Sequence, residues 1–217
     1  MFALFDPEAD VRVTVGNLPH WYQPNVTYFI TFRTDDSIPS EVVIEWHARR
    51  AEWLRRHKIN STAADWAQQL LALPRALRRE FHNEFSDAYL EALDRGHGEC
   101  VLKRPPLAEI VARSLRHFDG ERYLMGDFVV MPNHVHLLVC LVGSTDVKRL
   151  CYSWKKYTAG EINAALGRTG RFWQEESFDH LVRSPEQFER LRSYIADNPR
   201  KAGLRDGDYL LWQRPSG

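Results

Sequence analysis

Cysteine is scarce in this chain: three in 217 residues, Cys100, Cys140 and Cys151, odd in number and far apart. That spacing excludes a disulfide framework and a cysteine zinc motif, and leaves reduced thiols. Long apolar runs are missing too. No stretch approaches the roughly eighteen residues that span a bilayer, and the N-terminus has no signal-peptide pattern, so a cytoplasmic protein without a membrane partner is expected. Net charge is absent, because 29 Lys and Arg balance 29 Asp and Glu. By itself neutrality argues weakly against a nucleic-acid partner. The balance is uneven along the chain, however: residues 147–205 hold 12 Lys or Arg against 7 Asp or Glu, a local 12 − 7 = +5. This basic half suits a phosphate-binding face or an ordinary solvated surface. A GxSxG elbow, a Walker loop, an HExxH pair and a dinucleotide fingerprint are all lacking, which leaves those chemistries without support.

What is present is patterned. Residues 1–25 read as irregular chain, broken by Asn17, Pro19, Pro24 and Asn25 around His20, Trp21 and Tyr22. TYFITFR (27–33) is dense in β-branched and aromatic residues and predicts a strand. Helices follow at 41–58 and across 62–96, where Thr62, Ala63, Ala64 and Asp65 suit a start and Pro74 forces a break. Pro105 and Pro106 open another helix that ends near Gly120. ERYLMGDFVVM and HVHLLVCLV, parted by a short break at MPN, predict an antiparallel hairpin. Both faces of the second strand are largely apolar, which places it centrally in its sheet. A helix over 145–166 gathers Val147, Leu150, Cys151, Trp154 and Ile162 near one side. Gly167 and Gly170 then mark a loop, with Phe172 and Trp173 beginning a short extended segment. A last helix, 185–196, should stop at Asn198-Pro199. This order predicts an α+β fold built on an antiparallel sheet flanked by helices.

Three sets of residues could carry chemistry. On a strand, His134 and His136 share a face, about 7 Å apart at the backbone, so both imidazoles can converge on one ion. The alternative is a pair of structural histidines, but polar groups in so apolar a run need a partner. Cys140 has the same parity and lies roughly 13 Å along the strand, too far to join them, so it reads as core. In the helix that follows, Tyr157 and Glu161 are i and i+4 and share a face. A phenol with a pKa near ~10 needs help to attack, from a cation on the phosphate and from Lys155 or Lys156. Tyr152, nine residues from Glu161, faces the other side; Tyr194 has Asn198, not an acid, four residues on. The alternative for Tyr157 is a surface residue. In GRTGRFWQEESFDH (167–180), Arg168 and Arg171 interleave with Trp173 and two phenylalanines. Cations and flat rings suit single-stranded nucleic acid, and equally suit a loop anchored in the core. Arg200 and Lys201 add two cations after Asn198-Pro199.

LPHWYQPNVTYFITFR (18–33), YLMGDFVVMPNHVHLLV (123–139), SWKKYTAGEIN (153–163), GRTGRFWQEESFDH (167–180) and YIADNPRKAGL (194–204) resemble successive blocks of REP-associated tyrosine transposases, members of the HUH single-tyrosine superfamily. The resemblance implies a single domain over 1–217, with an HUH-type, ferredoxin-like core at about 18–204 and a helical insertion at about 60–100. It implies nicking and rejoining of single-stranded DNA beside palindromic REP hairpins through a 5′-phosphotyrosine, with Mg²⁺ or Mn²⁺. By position His134 and His136 are the metal ligands and Tyr157 the nucleophile. Relatives carry Gln or Asn as third ligand four residues after the tyrosine; here Glu161 stands there. Lys155, Lys156, Arg168, Arg171, Trp173, Arg200 and Lys201 become the expected DNA contacts, a homodimer is an assembly open to it, and residence is cytoplasmic, at the nucleoid. The rival function is a hairpin DNA- or RNA-binding module with vestigial catalysis; a third is a metal-dependent hydrolase that uses water.

Overall fold

The β-branched and apolar stretches at 27–33 and 123–141 do build the centre of the molecule. The computed structural model describes residues 2–15, 19–63 and 65–215. Its strands are β1 (Arg12–Val15), β2 (Pro19–Tyr22), β3 (Thr27–Arg33), β4 (Tyr123–Val130), β5 (His134–Leu141), β6 (Phe178–Leu181) and β7 (Leu210–Trp212). Its α-helices are α1 (Ser40–Arg56), α2 (Trp66–Ala72), α3 (Arg75–Phe81), α4 (Ala88–Asp94), α5 (Pro105–Arg116), α6 (Val147–Leu166) and α7 (Pro185–Lys201). The fold is α+β: a five-stranded antiparallel sheet of order β6-β3-β5-β4-β7, flanked by helices. β5 is central, as its two apolar faces require, and every residue in it is buried.

Two split β-α-β units interlock in this sheet. β3-α5-β4 straddles β5, and β5-α6-β6 straddles β3. Right-handed crossovers put both connecting helices on one face. There Val135, Leu137 and Val139 of β5 pack with Val111 and Leu115 of α5 and with Leu150, Trp154 and Ile162 of α6. The alternate residues of β5 point the other way. On that second face Phe29, Val129 and Leu138 pack beneath Leu191, Tyr194 and Ile195 of α7. α7 is seated by a buried carboxylate, since Arg192 Nε donates to Asp127 Oδ2 of β4 at 3.0 Å. Its start is fixed by Pro185 in the first turn and by Ser184 Oγ, which accepts from Gln187 N at 3.1 Å.

The helices within residues 60–100 pack together with α1. All four helices α1–α4 lie between β3 and α5, and Trp53, Leu54, Trp66, Leu70, Phe81 and Phe85 form a core of their own. A wider π turn at His82–Asp87 joins α3 to α4. Residues 1–25 are not wholly irregular, because β1 and β2 pair antiparallel there. Asn17 and Ala64, placed by the sequence at a break and at a helix start, lie outside the described residues. α7 does not stop at Asn198-Pro199 but continues to Lys201. Both residues are buried, and that packing overrides the local stop signal. β6 and β7 are four and three residues long, too short to display alternation, and β7 extends the sheet past residue 204. Among the described residues no helix is long and apolar enough to cross a membrane.

Candidate active site

Strand parity aims His134 and His136 at the α7 face, where their Nε2 atoms stand 3.0 Å apart. Asp94, the last residue of α4, brings a carboxylate oxygen 3.6 Å from His134 Nε2. One ligating atom from each of the three lies within 4.8 Å of the others. The outer hydrogen bonds decide which nitrogens face inward. Asn133 Nδ2 donates to His97 O at 2.8 Å, which leaves Asn133 Oδ1 as the atom 2.7 Å from His134 Nδ1. An amide oxygen only accepts, so His134 Nδ1 carries the proton and Nε2 a lone pair. His136 Nδ1 lies 2.7 Å from Thr31 Oγ1. A hydroxyl either donates or accepts, so His136 is free to move its proton to Nδ1 and turn a bare Nε2 inward.

Electrostatics favour the same state. Burial pushes the His134 pKa down to about 3. Burial, then the neighbouring His134, holds His136 well below the usual imidazole range. Both rings are therefore neutral at neutral pH, as ligation requires. Burial raises the Asp94 carboxyl, opposed by the hydrogen bond from Asn198 and the charge of Lys201.

α7 completes the site. Tyr194 Oη is 3.4 Å from His136 Nε2, and the two rings meet edge to face at 5.1 Å. One turn later Asn198 is fully buried. Its Nδ2 donates to Asp94 Oδ1 at 3.2 Å, while its Oδ1 has no hydrogen-bond partner. Leaving a buried acceptor unmade costs about 1–3 kcal/mol. An orphaned amide oxygen beside a carboxylate and two imidazoles fits a divalent cation that takes mixed oxygen and nitrogen donors. Lys201 Nζ lies 5.6 Å over the Tyr194 ring. Tyr194, Asn198 and Lys201 are i, i+4 and i+7, so α7 presents them on one face.

The structure brings His134 and His136 together and does not bring Tyr157 or Glu161 to them. Both lie exposed on α6, the helix packed on the opposite face of the sheet; Tyr157 is 54% exposed. Lys155 Nζ donates to the carbonyls of Gln174 and Glu175 at 3.2 and 2.6 Å, tying α6 to the loop beyond it. Lys156 is exposed beside the Tyr152 ring. Arg168 pairs with Glu99 at 2.7 Å, Arg171 sits 3.9 Å from Asp35, and Arg200 pairs with Asp197 at 3.6 Å. Trp173 is 4% exposed, edge-on to Phe32, and donates Nε1 to Thr158 Oγ1 at 2.8 Å. Its ring anchors the loop in the core and has no free face for a base. Cys140 is buried, as its parity suggests. Sequence reasoning missed Asp94, for which no local pattern exists. It set aside Tyr194 and Asn198, whose four-residue spacing matches that of Tyr157 and Glu161.

No protein-family model matches the chain, and no curated protein matches it. Among solved structures it is similar to a REP-associated tyrosine transposase bound to a REP hairpin, at 14% identity over 86% of this chain and 73% of that one, with a TM-score of 0.44.

Proposed function

We propose that the chain is a metal-dependent nuclease and strand transferase for single-stranded DNA beside a hairpin, with Tyr194 as its nucleophile in place of Tyr157. The observation that carries this reading is the tyrosine hydroxyl 3.4 Å from the inward nitrogen of His136. His134, His136, Asp94 and the unpaired Asn198 Oδ1 would hold Mg²⁺ or Mn²⁺. Such a cation, when bound, supplies Lewis-acid polarisation of a phosphate oxygen. The remaining work belongs to the chain. Asn133 and Thr31 hold the imidazoles in register. Asp127 clamps α7 to the sheet, which fixes the attacking oxygen on a rigid helix. Lys201 Nζ, 5.6 Å over the Tyr194 ring, sets a positive charge beside the attacking group. The phenolic oxygen then attacks phosphorus, the P–O3′ bond breaks, and the 3′-oxygen leaves and takes up a proton. One phosphodiester is exchanged for a 5′-phosphotyrosine, so the 3′-hydroxyl can reverse the step. The motif blocks around His134 and Tyr194 supply the substrate class, a REP-type palindrome with a single-stranded flank.

The test is a labelled hairpin oligonucleotide with a single-stranded flank, incubated with protein and Mn²⁺ and run on a denaturing gel. A protein–DNA band that EDTA abolishes is expected. Binding without an adduct under either metal would leave the binding module as the function, and cleavage without an adduct would make water the nucleophile.

A further inference from the structure

α1, α4, α6, β2 and the loop at 170–179 enclose a cleft of about 1210 Å³. Its wall is basic although the chain is neutral: eight Lys or Arg line it against five Asp or Glu. Some of these cations are engaged in the fold. Arg33 donates to the Tyr89 hydroxyl at 2.9 Å, Arg49 pairs with Glu84 at 3.3 Å, and Lys155 holds two carbonyls. Arg95, Lys148 and Lys156 have no ion-pair partner among the described residues. Rings stand between the charges: Tyr152 is 63% exposed, and Trp21 and Tyr22 are half-buried. The cleft approaches the Asp94, His134 and His136 cluster at one wall, although those three residues do not line it. Ala92 and Arg95 in its wall flank Asp94 on α4. Phe178 in the same wall touches His180 at 5.7 Å, which meets Phe29 at 5.3 Å, which stacks on His136 at 5.6 Å.

We infer that this cleft holds the single-stranded segment of a nucleic acid whose scissile phosphate lies at Tyr194; the inference rests on the proposed function. Unpaired cations meet phosphates, and exposed rings meet unstacked bases. A duplex keeps its base faces in its own stack and offers those rings nothing. The insertion then has two tasks at the end of one helix, with Asp94 turned to the metal and Arg95 to the strand.

Fluorescence anisotropy tests this on Tyr194→Phe protein in EDTA, with a hairpin carrying an oligo-dT tail and the same hairpin without one. Under these conditions neither metal nor nucleophile is needed, so failure of the nuclease reading and failure of the cleft are separate results. Lys148→Ala with Lys156→Ala, both at exposed positions, should weaken binding of the tailed hairpin and lower its salt slope by about 0.7 for each phosphate no longer neutralised. Tyr152→Ala should weaken it about tenfold with no change in slope. The tailless hairpin should bind all variants alike. Equal affinity of every variant for the tailed hairpin would overturn the proposal. So would an equal loss with the tailless one, which would make the cleft a duplex site.

Discussion

Replacing Tyr194 by Phe separates the two tyrosines most sharply. The substitution deletes one oxygen and keeps the ring, which packs against His136 at 5.1 Å and Phe29 at 5.9 Å. It removes the long hydroxyl–imidazole approach of 3.4 Å. A typical hydrogen bond contributes about 0.5–1.5 kcal/mol, and one this long belongs at the lower end. For a chain of this size about 0.5 kcal/mol shifts the melting temperature by roughly 1–2 °C. The folded protein and its hairpin affinity should therefore survive. The adduct should vanish, because among the described residues no other hydroxyl is placed against Nε2 of His134 or His136. Tyr157→Phe removes an exposed hydroxyl from the far side of the sheet and should leave adduct yield at the wild-type level. The assay is the denaturing gel, followed by peptide mass spectrometry of the adduct. An adduct that persists in Tyr194→Phe and is lost in Tyr157→Phe would refute the placement and require α6 to reach the histidines in a way this fold does not allow.

Other expectations follow from the same contacts. Asn133→Ala removes the acceptor 2.7 Å from His134 Nδ1. Mn²⁺ affinity by titration calorimetry should then fall about 10- to 100-fold, and unchanged affinity would mean that this hydrogen bond does not set the tautomer. Asp94→Asn keeps the shape but removes the only carboxylate in the cluster among the described residues, so it should weaken Mn²⁺ while thermal stability is held or raised, since burial disfavours the charged form. A marked fall in stability with no change in Mn²⁺ affinity would make Asp94 structural. Trp173→Ala should cost about 3–5 kcal/mol in urea unfolding, and a loss of DNA affinity without that cost would restore it as a stacking residue. Burial pushes the Cys151 thiol up to about 12, so a thiol-reactive dye at pH 8 should leave it unlabelled until denaturant is added.

Much of the fold is legible in local pattern. β3, the β4–β5 hairpin, α5 and α6 announce themselves by β-branched runs, by the short break at MPN, by paired prolines and by an apolar stripe. The strands that escape notice are those whose signal is short: four residues in β6 and three in β7. The two histidines are legible because parity alone makes them neighbours. Asp94 is not, because only the tertiary course of the insertion carries it to His134. Tyr194 and Asn198 are visible as a spaced pair, but a carboxylate is the better ligand for a hard cation, and that preference points to Glu161. In the structure the carboxylate nearest the histidines comes from a different element, Asp94 of α4, and the partner that α7 sets beside it is the amide of Asn198.

Topology could have decided between the tyrosines before any side chain was placed. A helix joining one strand to a parallel strand of the same sheet must cross over one of its two faces. α5 and α6 are both such connections, and the interlocked order of their strands sends them to the same face. Val135 and Leu137 belong to that face because they supply the apolar surface two helices must cover. His134 and His136, at the alternate positions, are thereby turned away from α6 whatever its rotation about its own axis. No choice of residue on α6 can answer them. α7 is under no such constraint on the strand count, since it follows the last strand of the second unit and can fold back over the open face. Its Phe188, Leu191 and Ile195 give it reason to do so. The polar residues on that same apolar side of α7, Tyr194 and Asn198, are then the ones carried onto the histidines. A buried asparagine with an unpaired oxygen is costly to keep there unless a cation shares it.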